Sequence, residues 1–400
     1  MDLFLNVFQG HDFGQKKTVA ISRGGAYDLS AHTHPELWAF MGGNPGVNFK
    51  LPVSREILAS VSRLDHFQGA WSAQQIIPSE RLPRLREAVL AQSVGASCRL
   101  SGLRVSDVEV AGVLRGDDLT IREASEVLGY ARALEHPLPG TDELLTVDHL
   151  RNLHGLMVSG SPGSPSAWRT EVLHREAFDA DGKALGHVFQ TLPPRMVQEK
   201  TDEALTWLEY ELRAGDQHPV LVVGAFVLCF LSICPFERGN SRLARLLAGR
   251  LLQRAGYAAI PYASLERLIE EQRCDYHTAV LTSQTQLWNQ DAKIEPWLNF
   301  FLRLLVRHRE RVEAKMELER EVQEFPPLQR AILETVREHG TVDAALLIRA
   351  TGANRNTLKD NLRRLVRRGV LQKTGQRRGT RYRMASGDVR PVGAGKALGH

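Results

Sequence analysis

The stretch Val220 to Ile233 is fourteen consecutive residues without a charge. It is too short to cross a bilayer as a helix, which takes about 20 residues, and Gly224, Cys229 and Ser232 interrupt it. It therefore predicts a helix buried on every face inside a globular protein. Such a helix needs neighbours all round, and the spacing of apolar residues supplies them. Helices are expected over Pro83–Ser97, Arg122–Glu135, Val147–Val158, Pro194–Arg213, Gly239–Arg254, Ser264–Ser283 and Glu295–Val312. Trp168–His174 and Gly186–Gln190, joined by the turn Asp181-Gly182-Lys183, read as a hairpin or flap. Residues 1 to about 70 are rich in Gly and Pro with weak periodicity, and no chemistry is assigned to them.

An apolar content of 43% is enough for a real core. The four cysteines, Cys98, Cys229, Cys234 and Cys274, show neither metal-ligand spacing nor the density of a disulfide scaffold. Met1–Gly10 lacks a basic segment ahead of a long apolar one. Together these predict a cytoplasmic protein with no membrane partner and no bound metal.

The buried helix leads into Cys234-Pro235-Phe236-Glu237-Arg238-Gly239-Asn240-Ser241-Arg242-Leu243-Ala244-Arg245 and then a new helix. A loop with Gly239 and Asn240 at a helix N-terminus exposes backbone N–H groups where the helix dipole also favours an anion. Arg242 and Arg245, three apart, fall on nearby faces, and Arg242 has the fork that holds a phosphate through two bonds. The candidate phosphate or nucleotide site is thus Arg238, Gly239, Asn240, Ser241, Arg242 and Arg245. Gly-Asn turns between helices are common, so the loop alone is a weak signal.

This loop resembles the signature of the Fic (Fido) family, His-Pro-Phe-x-Asp/Glu-Gly-Asn-Gly-Arg-x-x-Arg. The resemblance extends over about residues 80 to 310: His218-Pro219 opens the apolar helix, Trp168-Arg169 stands where the family's target-binding flap begins, and Tyr276 and Trp297–Leu302 fit its closing helices. It implies a helical bundle with a short β-hairpin flap, and AMP transfer from ATP to a hydroxyl of another protein.

Three positions depart from that pattern. Cys234 stands where the resemblance places the catalytic histidine, and a thiol of pKa about 8.5 is a poor base for a hydroxyl at neutral pH. Arg238 replaces the acid that would hold Mg²⁺ and would repel a cation; Glu237, one residue earlier, should point elsewhere. Ser241 replaces the second glycine. Upstream, Ser97-Cys98-Arg99-Leu100-Ser101-Gly102 matches the family's inhibitory Ser/Thr-x-x-x-Glu-Gly, with Ser101 in place of the glutamate. The expectation is a catalytically degenerate pocket in which Arg238 replaces Mg²⁺, so that ATP or another nucleotide binds without turnover. An empty scaffold, and an active AMP transferase, are the alternatives.

The last module is distinguished by charge. Between Thr351 and Met384 stand eleven Lys/Arg against one acid, Asp360; the whole chain carries +5, so the remainder sums to −5. Leu328–His339, Val342–Ala350 and an Asn354-capped segment to Arg368 predict three helices, followed by strands Val370–Thr374 and Thr380–Met384. The order resembles a winged helix-turn-helix domain. That resemblance places Arg355, Asn356, Thr357, Lys359 and Arg363 on the helix that enters the major groove, and Arg377, Arg378 and Arg381 on the wing. Double-stranded DNA is the expected partner, bound by a homodimer; a protein-interaction module is the other reading. The fold class expected is mainly α: residues 1–78 of unassigned role, a Fic-like bundle over 79–312, a charged helix or linker over 313–325, the winged helix over 326–384 and a disordered tail over 385–400.

Overall fold

The computed structural model describes residues 4–6, 18–20, 51–73, 82–117, 123–159, 166–178, 184–284, 287, 294–323, 325–375 and 379–385. Among the described residues the chain is mainly helical and divides into two compact units, Met1–Val312 and Glu313–His400. No described helix is long and apolar enough to cross a membrane. The turn 181–183, Arg377, Arg378 and residues 386–400 lie outside the described residues.

In the first unit a short pair, β1 (Phe4–Asn6) and β2 (Thr18–Ala20), precedes α1 (Arg55–Ala73), α2 (Leu82–Leu100), α3 (Asp107–Arg115), α4 (Ala124–Glu135) and α5 (Val147–Ser159). An antiparallel hairpin, β3 (His174–Phe178) with β4 (Ala184–Gln190), then leads to α6 (Val197–Ala214), α7 (Pro219–Ile233), α8 (Asn240–Arg254), α9 (Leu265–Glu271), α10 (Arg273–Gln284) and α11 (Glu295–Gln323), whose residues from Glu313 onward belong to the second unit. Helix α7 is the apolar run, and every residue from Val220 to Ile233 is buried. Pro219, whose φ is already helical, opens it. Helix α11 packs closely because Gly224 has no side chain: Trp297 Nε1 donates to the Gly224 carbonyl at 2.7 Å, and a Cβ there would meet Leu298 and Phe301 at 2.9 Å.

Three sequence expectations are corrected. Residues 55–73, assigned only weak periodicity, form α1, which buries Ile57, Leu64 and Phe67; Asp65 fastens it by accepting from Tyr257 Oη at 2.8 Å and meeting His218 Nε2 at 3.1 Å. The single helix expected over Ser264–Ser283 is two, because the backbone leaves helical geometry at Gln272, with ψ +34°. Tyr276 then packs against Trp297 and Phe300. Helix α3, which periodicity did not reveal, is opened by a reciprocal cap between Ser106 and Glu109.

The second unit contains α12 (Pro327–His339), β5 (Thr341–Asp343), α13 (Ala344–Thr351), α14 (Arg355–Arg367), β6 (Leu371–Thr374) and β7 (Arg381–Met384). Its three strands are antiparallel in the order β5-β7-β6, with Val342 opposite Tyr382. Ile332, Leu333, Val336, Leu347, Leu358, Leu362 and Leu365 form its core. Val342, expected to start a helix, lies in β5 instead; the helix begins after Asp343, whose carboxylate caps the Leu346 amide at 2.8 Å. The observed order is helix, strand, two helices and a two-stranded hairpin, so that β5 is added to the three helices and two strands expected from sequence.

Close packing makes a prediction. A Cβ on Gly129 of α4 would land on the Met157 carbonyl oxygen of α5, whereas one on Gly249 of α8 would make only ordinary contacts, 3.7 Å to Ile260 and 3.9 Å to Leu265. Gly129→Ala should cost about 1–3 kcal/mol in urea unfolding through overpacking. Gly249→Ala should instead stabilise by up to about 1 kcal/mol through helix propensity.

Candidate functional site

The buried helix α7 must leave the core somewhere, and it does so at Cys234. This residue has φ +47°, the one non-glycine positive φ among the described residues. In that left-handed position it ends α7, its amide donating to the Phe230 carbonyl at 3.0 Å. Its Sγ, buried, donates to the Leu231 carbonyl at 2.9 Å.

The loop that follows is held from three directions. Asn240, fully buried, accepts from the Phe236 amide at 3.0 Å and donates through Nδ2 to the Phe236 carbonyl at 2.6 Å. Both ends of its side-chain amide are thereby engaged by the loop. Arg169, buried beside the loop, donates Nε to the Cys234 carbonyl at 2.8 Å and its terminal nitrogens to the carbonyls of Glu171, Leu192 and Ile233. Burial holds its pKa below the ordinary value. Arg169 is thus a clamp on the loop. Its neighbour Trp168 stacks on Phe236 with ring centroids 5.3 Å apart. Glu237, exposed, accepts from the Thr170 amide at 2.7 Å.

The third hold comes from α5. His154 stacks on Phe236 at 3.8 Å and 7°, and its Nε2 lies 2.8 Å from the Arg238 carbonyl. A carbonyl can only accept, so Nε2 carries the proton, and Nδ1 accepts from Ser166 Oγ at 2.6 Å. Burial, with the charges of Arg242 and Arg238, outweighs the carbonyl bond and lowers the His154 pKa to about 4. Gly239, φ +80°, is wedged against the same helix: a Cβ would meet Met157 at 2.9 Å and His154 at 3.0 Å. Only glycine fits there.

Helix α8 starts at Asn240, and its first intrahelical donor is the Leu243 amide. The amides of Asn240, Ser241 and Arg242 stand ahead of it, at the positive end of the dipole. Arg242 is buried, with Nη1 2.7 Å from Glu126 Oε2 of α4. Its Nε and Nη1 nevertheless have no acceptor in hydrogen-bond geometry among the described residues. Arg245, also buried, is held by neutral groups of α2: Nε and Nη2 reach Ser97 Oγ at 3.1 and 2.9 Å, and Nη2 reaches Ser101 Oγ at 3.2 Å. Gly102 ends that segment at φ +96°. Arg238 is exposed, and its guanidinium forms no ion pair among the described residues.

The structure therefore gathers Cys234, Gly239, Asn240, Arg242, Arg245, Ser97, Ser101, Trp168 and Arg169 around one loop. Glu126, His154 and Thr170 join them; each is an ordinary helix or loop residue with no signal in sequence.

The Fic/DOC family model matches residues 144–252, the segment from the start of α5 through the loop into α8. Among solved structures, a Fic family protein from Desulfovibrio desulfuricans G20 is 19% identical, with a TM-score of 0.52 over 85% of this chain and 98% of that one. A Fic domain containing signaling protein from Bacteroides thetaiotaomicron VPI-5482 is 17% identical, with a TM-score of 0.50 over 64% and 97%. Fic-1 (residues 134–508) from C. elegans is 19% identical, with a TM-score of 0.50 over 66% and 73%. The first unit has the fold of Fic proteins, and it contains the segment, residues 144–252, that matches the Fic/DOC family model.

His154 gives the loop a pH signature. It stays neutral in the folded chain down to about pH 4, while the unfolded chain takes the proton near the ordinary 6.5. Protons therefore favour unfolding: stability should fall by about 3 kcal/mol between pH 6.5 and 4 and level off below. Urea unfolding across that window should show this slope reduced in His154→Gln; an unchanged slope would mean that His154 is already solvated in the folded chain.

Proposed function

We propose that this chain is a DNA-binding transcriptional regulator whose Fic/DOC domain holds a nucleotide or other phosphate ligand without turning it over. The observation that carries the effector half is the two-faced character of α14. Leu358, Leu362 and Leu365 are buried, while Arg355, Asn356, Thr357, Lys359, Arg363, Arg364 and Arg367 are exposed on the other side. Asn354 caps the helix by accepting from the Thr357 amide at 2.9 Å, which presents its leading turn to solvent. Arg381 of β7 is exposed as well, and Arg377 and Arg378 extend the same basic sequence. A rigid helix carrying this charge suits a major groove, with the wing arginines on phosphates or in the minor groove.

The ligand half rests on Arg242. A buried guanidinium with two nitrogens lacking hydrogen-bond acceptors, beside unladdered amides, suits the oxygens of a phosphate. A divalent ion does not fit: Arg238 would present a guanidinium where a metal ligand is required. Cys234 Sγ donates its proton to the Leu231 carbonyl, and a protonated thiol cannot take one from an attacking hydroxyl. Glu126 occupies Arg242 until an anion displaces it.

Active AMP transfer is the second reading, favoured by the Fic/DOC match itself. It predicts label from ATP on a partner protein, and such transfer by the natural chain would remove the non-catalytic proposal.

Two measurements test the regulator. Duplex DNA retention should weaken steeply between 50 and 200 mM salt, and Lys359→Ala with Arg363→Ala should flatten the log–log salt slope by about two units. Retention indifferent to salt and to these changes would instead indicate a protein-interaction module. Calorimetry with ATP should give binding that Mg²⁺ does not enhance, and Glu126→Gln should tighten it by about tenfold, roughly 1.4 kcal/mol. Absence of heat in both proteins would leave the domain a scaffold.

A further inference from the structure

Away from the motif loop, beside the C-terminal half of α8, lies a cavity of about 490 Å³. That volume is in the range of small-molecule sites, about 300–1,000 Å³. Its apolar wall comes from Val89 and Leu90 of α2, Leu246 of α8 and Leu265 of α9. Two cations border it. Arg250 donates to the His136 carbonyl at 3.1 Å and to Gln253 Oε1 at 3.5 Å, both neutral, and has no carboxylate at ion-pair distance among the described residues. Its pKa is lowered by burial, with no acid offsetting the effect. Arg86 lies over the Tyr262 ring, 5.3 Å from the centroid. Glu87 and Glu135, both exposed, also border the cavity. Such sites pair an apolar body with a few placed polar groups; here the buried Glu266 carboxylate is held by the hydroxyls of Ser264 and Tyr130, whereas Arg250 at the wall meets only neutral acceptors.

The floor of the cavity is connected to the motif. Ser93 Oγ donates to Ser264 Oγ at 2.8 Å, Ser264 Oγ to Glu266 Oε2 at 3.2 Å, and Tyr130 Oη to Glu266 Oε1 at 3.2 Å. Tyr130, fully buried, lies beside Ser97 and within the field of Arg245, and Ser97 in turn holds Arg245. Ser93 and Glu266 line the cavity; Arg245 ends the loop signature. A buried hydrogen-bonded line therefore leads from the cavity to Tyr130, next to the serine that holds Arg245, and bonds within such a network polarise one another.

We propose that this cavity binds a small amphipathic carboxylate, its anion on Arg250 and Arg86 and its hydrocarbon body between α2 and α8, and that occupancy is relayed to Arg245 through Ser93, Ser264, Glu266, Tyr130 and Ser97. The site is separate from the phosphate loop and needs neither DNA binding nor nucleotide binding to exist.

The test uses the full chain with hexanoate, octanoate and octylamine as probes, read by calorimetry and by the ¹⁵N–¹H signal of the Arg245 Nε, assigned through Arg245→Lys. Octanoate should bind saturably and octylamine should not. Arg250→Gln should weaken octanoate at least tenfold. Gly249→Leu should abolish binding by filling the cavity while leaving the melting temperature unchanged or raised, since a Cβ at Gly249 meets nothing closer than 3.7 Å. The Arg245 signal should move with octanoate in the natural chain and stay still in Tyr130→Phe, which keeps its octanoate affinity. No saturable binding of either carboxylate, equal binding of octylamine, or undiminished binding by Gly249→Leu overturns the site. A bound octanoate that leaves the Arg245 signal unmoved overturns the relay.

Discussion

A helix that is apolar on all sides has to be surrounded, and α7 imposes this on the whole first unit. Helices α6, α8 and α10 flank it, and the aromatic face of α11 closes over Gly224. The requirement also fixes where chemistry can occur. Nothing along α7 can reach water, so polar residues gather where the chain emerges, at Cys234, and turns into α8. The left-handed cap at Cys234 and the wedge of Gly239 against α5 make that turn in five residues, with Asn240 bonding both polar groups of the Phe236 peptide.

Three buried guanidiniums lie close to this turn, and the surrounding structure treats each differently. Arg169 is absorbed by main-chain carbonyls, Arg245 by serine hydroxyls, and Arg242 by one carboxylate in imperfect geometry. Buried charge is costly unless its hydrogen bonds are complete, so incompleteness at one member singles it out. Arg250 at the cavity is distinguished differently: its hydrogen bonds are made, but to neutral partners. Neither criterion distinguishes Arg99, which is bound to both Glu270 and Asp107.

Much of this was readable in advance. The apolar run fixed α7, Gly239 and Asn240 marked the loop, and the basic surplus marked the second unit. Asn354 signalled the start of α14 through a local cap. What stayed hidden depended on contacts between distant residues. Helix α1 has its apolar positions at helical spacing, but the Gly- and Pro-rich segment before it masked the pattern, and its tether, Asp65 to Tyr257, spans 192 positions. Val342 reads locally as a helix residue, because strand identity there comes from β7, some forty residues on. Glu126, His154 and Ser166 belong to the site only through folding, and no local spacing distinguishes them.

The clamp formed by Arg169 has a broader meaning. The carbonyls of Ile233 and Cys234 are the negative pole of α7, and a guanidinium covers them; a few residues later the positive pole of α8 begins. The turn therefore lies between one capped negative pole and one open positive pole. Its preference for negative guests is a property of the main chain, present whatever side chains occupy positions 238 and 241. Exchanges at those positions can retune how firmly such a guest is held, but the sign of the place is set by the path of the backbone.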